Sequence, residues 1–384
     1  MKKVLISLIM VTLVFSMISC SDTGNGENKE PENKWEGDNM EDFIAEGLEV
    51  SDKGAGIYPR VPYEERFVGL AYTTWFRPQI WSSSVWAYPT LGTYNSDDKE
   101  IIRQHAELIY DAGVDFVWVD WSNNLDFDMP MDRVLKDRTS RADFAMIERS
   151  TVYMFDVYSQ MEKAPKISIF IGCPAPGQKE GVTDGRLTRK ADQIYDWFVN
   201  NPEHPEYKDQ LFYYNGKPLL VVYVGTPSPW QSGVPEWDDD RFTVRYMTGY
   251  VTEQKGLRDP DTLESKYGYW SWEDRVAQTF TVSDGYPEAM IVCASTRPQA
   301  EEGDPNYIPA VERRNGQTFK EQWARARLIG VRFAMVGTWN EYVTGEQYSD
   351  EVSKDIEPNT VWGDMYLKLT KRGNCKVQRE KQID

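Results

Sequence analysis

Short apolar runs with little polar alternation recur along the chain, at Val68 to Trp75, Phe116 to Trp121, Ile167 to Cys173, Leu219 to Gly225, Arg245 to Gly249, Tyr267 to Trp272, Ala289 to Ser295 and Phe333 to Trp339. Such runs suit parallel strands buried on both faces, because neither face meets water. The stretches between them carry helix signals. Ser96 before Asp97-Asp98 reads as an N-cap, Thr318-Phe319-Lys320-Glu321 as a capping box, and Gly113 as the stop of the first of these helices. Strand-then-helix repeated eight times predicts an α/β fold of the (β/α)8 TIM barrel type. A doubly wound sheet fits less well, since it more often has about five or six strands.

The pattern changes at the N-terminus. Lys2 and Lys3 precede an uncharged run from Val4 to Ile18 that stops at Ser19-Cys20, too short to span a bilayer comfortably. This order resembles a bacterial lipoprotein signal, which implies cleavage before Cys20 and acylation of its thiol; an ordinary secretory signal or an uncleaved anchor is the alternative. Residues 1–19 are thus expected as signal peptide and 20–57 as a polar, acidic tether with too few apolar residues to fold alone. Residues 58–384 are expected as one barrel domain, with no internal repeat. The implied location is the cell envelope, lipid-anchored to the outer membrane, with the membrane met only through the anchor.

Charge and rare residues narrow the chemistry. The formal charge is −18, and losing Lys2 and Lys3 with the signal makes it −20, a balance that disfavours nucleic-acid backbones and anionic surfaces. With Cys20 assigned to lipid, Cys173, Cys293 and Cys375 remain, an odd and scattered set that reads as buried thiols and argues against a disulfide framework or a Cys-rich zinc site. Only His105 and His204 occur, so a His-based triad or a His-rich metal site is not expected, and no glycine loop that cradles phosphate is present. Asp126 and Asp128 lack the further oxygen pattern of a calcium loop and read as solvated. No cofactor and no metal are expected, and the chain is expected as a monomer.

Carboxylates at strand ends remain. Glu341, in Thr338-Trp339-Asn340-Glu341-Tyr342, and Asp120, in Trp118-Val119-Asp120-Trp121, each stand beside tryptophan at the end of an apolar run, where barrel enzymes keep catalytic groups. Glycoside hydrolysis needs two carboxyl groups, one protonated and one ionised, and an aromatic, partly dry surround raises the pKa of a carboxyl group. Glu341 and Asp120 are the first candidates; Glu346, on the following loop, and Glu273 with Asp274 are further ones. Which is the acid is open. Tyr72, Trp75, Trp81, Trp86, Trp121, Trp270, Trp272 and Trp339 crowd the same ends and could stack on sugar C–H faces, with Arg77, Asn123, Asn124 and Asn340 as hydroxyl partners. An oligosaccharide or polysaccharide is therefore the expected partner.

Three segments resemble the group formed by glycoside hydrolase families 99 and 71 and related barrel proteins of polysaccharide loci. They are Trp339-Asn340-Glu341-Tyr342 followed by Gly345, Asn215-Gly216-Lys217-Pro218-Leu219-Leu220-Val221-Val222-Tyr223, and Ala112-Gly113-Val114-Asp115-Phe116 with Asp120-Trp121. The resemblance implies a (β/α)8 hydrolase acting on glycans, endo-acting on α-linked mannose or glucose. Thr344 stands where the endo-mannosidase branch keeps a second glutamate, so its specificity does not carry over. A surface protein that binds glycan on a hydrolase-like barrel without cleaving it is the alternative.

Overall fold

The computed structural model describes residues 48–81, 85–136, 142–172, 185–224, 235–249, 257–275, 277–298, 302–305, 307–342 and 349–374. Cys20, Cys173, Thr344, Glu346 and Cys375 lie outside the described residues. Among the described residues ten strands occur in chain order: β1 (Phe67–Tyr72), β2 (Phe116–Trp121), β3 (Lys166–Gly172), β4 (Tyr213–Tyr214), β5 (Lys217–Val224), β6 (Thr243–Thr248), β7 (Trp270–Ser271), β8 (Phe280–Ser283), β9 (Tyr286–Cys293) and β10 (Phe333–Gly337). Eight of them coincide with the eight apolar runs, in the order β7-β6-β5-β3-β2-β1-β10-β9, and all seven neighbouring pairs are parallel. The ends of that order meet where β7 packs beside β9, giving the nearly closed (β/α)8 barrel.

β4 and β8 were not expected, and both are antiparallel additions. Asn215-Gly216 turns β4 into β5 and Asp284-Gly285 turns β8 into β9, each residue of both pairs having positive φ between 52° and 78°. That conformation suits two-residue hairpin turns and is why Asn-Gly and Asp-Gly serve there.

The helices used below are α1 (Lys99–Asp111), α2 (Ala142–Tyr158), α3 (Arg186–Ile194), α4 (Gln317–Ile329) and α5 (Met365–Gly373). Gly113 follows the C-cap of α1, as expected, but both expected N-caps are corrected. The Asp98 side chain, not Ser96, accepts the Glu100 N–H at 2.9 Å, while Ser96 Oγ accepts from Phe76 N. Gly316 precedes α4, Thr318 donates to the Glu312 carbonyl and Glu321 pairs with Arg314, so no capping box forms. The tertiary partners outcompete the local cap.

Residues alternate across each strand, and the alternation sorts them into two cores. Phe116, Trp118, Phe170, Leu219, Val221, Met247, Ile291, Cys293, Phe333 and Met335 fill the barrel interior. Leu70, Tyr72, Val117, Val119, Trp121, Ile169, Val222, Val292 and Val336 face outward onto the helices. Residues 48–57, expected in the tether, already hold to α4: Arg325, almost fully buried, donates to the carbonyls of Ser51 and Lys53, and Lys53 Nζ reaches the Pro260 carbonyl at 3.0 Å.

Candidate functional site

The parity of β2 decides where Asp120 points. It shares the inner side with Phe116 and Trp118, so its carboxyl stands inside the barrel near the C-terminal end of the strand. Asp120 is 6% exposed, and its Oδ1 accepts the Ser122 N–H at 2.7 Å. Burial pushes its pKa from 3.8 up to about 6; the Ser122 contact opposes that, the nearby charge of Glu341 adds to it and Lys354 lowers it.

Glu341 follows β10 and is 16% exposed at its side chain. Its Oε1 is 3.7 Å from Arg297 Nη1, just past the end of β9, and its Oε2 is 3.4 Å from Lys354 Nζ. Oε2 is buried and, among the described residues, accepts no hydrogen bond, so the Lys354 contact is an ion pair without hydrogen-bond geometry. Glu273, after β7, is fully buried; it accepts from the backbone N–H of Arg297, from Arg297 Nε at 3.2 Å and from Lys354 Nζ at 3.1 Å. Burial alone would raise its pKa, but Lys354 and Arg297 together outweigh that and hold it below the usual carboxylate range. Glu273 is thus committed to two cations, which places it beside the candidate pair as a support.

Trp272 lies beneath. Its ring stacks on Phe170 at 5.4 Å and 3°, and Lys354 Nζ sits 4.3 Å over its face. Tyr223, at the end of β5, completes the ring of polar groups: burial raises its hydroxyl pKa, Arg297 opposes, and Glu273 and Asp120 add to the rise. Carboxylates, cations and phenol therefore arrive from β2, β5, β7, β9 and β10 at one end of the barrel.

The run that carries Glu341 is fastened from below. Asn340 is fully buried: its Oδ1 accepts from Thr73 N at 2.9 Å and from Thr73 Oγ1 at 2.8 Å, and its Nδ2 donates to the Thr73 carbonyl and to Tyr94 Oη. Tyr94 donates on to Glu357, whose other oxygen lies 2.9 Å from His105 Nε2; His105 Nδ1 meets the Tyr72 hydroxyl at 2.8 Å. Asn340 is a clamp between β1 and the β10 loop, not a sugar ligand. Asn340→Ala should destabilise the protein by about 3 kcal/mol, because Thr73 N–H and carbonyl are left buried without partners. Urea unfolding of the variant against wild type checks this.

Several expected sugar contacts prove to be packing. Tyr72, Trp121 and Trp339 lie in the outer core with 2% exposure or less; Trp121 donates to Thr151, and Trp339 packs edge-on to His105. Trp270 fills the barrel interior and donates to Glu288. Asn124 is turned inward to Phe144 and Glu148, and Trp81 is stacked on Phe76. Trp75 and Arg77, beyond β1, are half-buried, Asn123 is exposed after β2, and half-buried Trp86 donates to Asp355. Asp274 is consumed by the backbone N–H groups of Arg275 and Thr279.

Arg297 and Lys354 were missed. Arg297 lies two residues past the apolar run ending at Ser295, as Glu341 lies two past the run ending at Trp339. Lys354 lies in Asp350-Glu351-Val352-Ser353-Lys354-Asp355-Ile356-Glu357, a charged stretch that reads as solvated loop, yet Ser353 through Glu357 are all buried.

No protein-family model and no curated protein matches the chain. Among solved structures, it is similar to the GH99 endo-alpha-mannosidase from Bacteroides thetaiotaomicron at 15% identity, covering 82% of this chain and 98% of that one with a TM-score of 0.52. The complex of that enzyme with BIS-TRIS-propane gives 15% identity, 83% and 99% coverage and a TM-score of 0.51. At this identity the likeness establishes the shared barrel fold across nearly the whole of that enzyme.

Proposed function

We propose that this barrel hydrolyses a glycan, with Asp120 as proton donor and Glu341 as the ionised partner that acts as base or nucleophile. The observation that carries the reading is the contrast between two neighbouring carboxyl groups: one is buried with its pKa raised to about 6, the other is flanked by Arg297 and Lys354. A carboxyl group whose pKa is raised by burial, beside a second carboxylate that faces two cations, is the arrangement of a proton donor and its partner. Tyr223 beside them offers a hydroxyl to a sugar. The barrel shared with an endo-alpha-mannosidase supports an α-linked mannose or glucose polymer as the first substrate class to test. A product-release screen of wild type against Glu341→Gln and Asp120→Asn tests the reading. Binding of oligosaccharide by all three without product from any of them would replace it with that of a glycan-binding protein.

We also propose that the chain is held at the cell envelope through Cys20, on the order of Lys2-Lys3, the apolar run and Ser19-Cys20. Mass spectrometry of the mature protein should find an acylated Cys20 as its first residue; unmodified Cys20 inside a longer chain would refute the anchor.

A further inference from the structure

Resting on that reading, we propose that Lys354 is the positioning residue of the site: held by Glu273 on the face of Trp272, its ammonium fixes the Glu341 carboxylate in place next to Asp120. Lys354 is 2% exposed, and its Nζ stands 3.1 Å from Glu273, 3.4 Å from Glu341 and 4.3 Å from the Trp272 ring centre. Its nitrogen stands between two carboxylates, so the buried charge meets an opposite charge on either side. Glu273 is the fixed half of the arrangement, because Arg297 grips it through both backbone and guanidinium. Glu341 is the more loosely held half: among the described residues its Oε2 accepts no hydrogen bond, so that oxygen keeps its lone pairs for a reacting group. The groups facing Lys354 across the barrel are Glu273, Glu341, Asp120, Arg297 and the Cys293 thiol, with Tyr223 beside Asp120.

One lysine thus acts on both members of the pair. It anchors the position of Glu341, and its charge lowers the pKa of Asp120, against the opposite push from Glu341. Removing it should let the Glu341 side chain swing off its present line toward Arg297, and the Asp120 midpoint should move with the loss of the Lys354 charge and the displacement of Glu341. Lys354 makes no claim on the substrate itself, so the defect should fall on kcat, by about 10-fold to 100-fold, with KM little changed.

The experiment compares wild type, Lys354→Met and Lys354→Arg. Without any substrate, carbon-13 carboxyl NMR of aspartate-labelled protein, assigned with Asp120→Asn, follows the Asp120 titration, and crystal structures show Glu341. The proposal expects Glu341 to be displaced and the Asp120 midpoint to move from its wild-type value in Lys354→Met, and both to stay near wild type in Lys354→Arg. An unchanged midpoint with Glu341 in place in folded Lys354→Met overturns it. Should Lys354→Met fail to fold, Lys354→Gln, which can still hydrogen-bond Glu273, carries the same comparison. Turnover is the second arm. If wild type cleaves no glycan, the hydrolase reading fails while the titration still decides the role of Lys354.

Discussion

Glu341→Gln should lower turnover by about 100-fold or more on any glycan that the wild type cleaves, in line with the roughly 10² to 10⁴ contributed by a positioned acid or base. Glutamine keeps the shape and removes the charge. The clamp below it is untouched, since Asn340 holds Thr73 and Tyr94 through its own amide, so the fold should survive. Lys354 and Arg297 also keep a partner in Glu273. A second signature follows from the charge: Glu341 raises the pKa of Asp120, so in the variant Asp120 should titrate below about 6. A folded variant with wild-type rate would remove Glu341 from the chemistry. A slowed variant whose Asp120 midpoint does not fall would separate the two groups in space.

The barrel was legible because parallel strands buried on both faces leave long apolar runs, and eight of those fold into eight neighbouring strands. The two extra strands were legible too, through Asn215-Gly216 and Asp284-Gly285, dipeptides that mark hairpins by their tolerance of positive φ. They went unused because each is flanked by a strand too short to show a period. The site was half legible. Strand ends gave Glu341 and Asp120, but counting both Asp120 and Trp121 as cleft residues ignored that successive strand residues face opposite ways. The inward turn of Asp120 requires Trp121 to face the helices, where it meets Thr151. Lys354 was beyond reach of local reading, since its burial depends on Glu273 and Glu341, 81 and 13 positions away. A charge is buried only where distant charges meet it, and sequence proximity does not reveal that meeting.

Asp120→Asn should abolish proton donation and stabilise the protein at the same time. In wild type the acid form of Asp120 is used up as pH rises through about 6, so kcat should fall across that range, and the variant should lose this limb. The loss should be about 100-fold or more on a natural oligosaccharide and far smaller on an aryl glycoside whose leaving group departs without a proton. The stability effect has the opposite sign. The folded chain holds this proton more tightly than the unfolded one, whose aspartate titrates near 3.8, so the contribution is complete below that value and is lost as pH rises through about 6. Above that range the buried charge costs wild type about 3 kcal/mol. Asparagine carries no charge and can still accept the Ser122 N–H. The variant should therefore melt several degrees above wild type at about pH 8, above the titration range, and level with it at about pH 3, below the titration of either state. Equal melting temperatures at pH 8, or a rate limb near 6 that persists in Asp120→Asn, would assign the donated proton to another group.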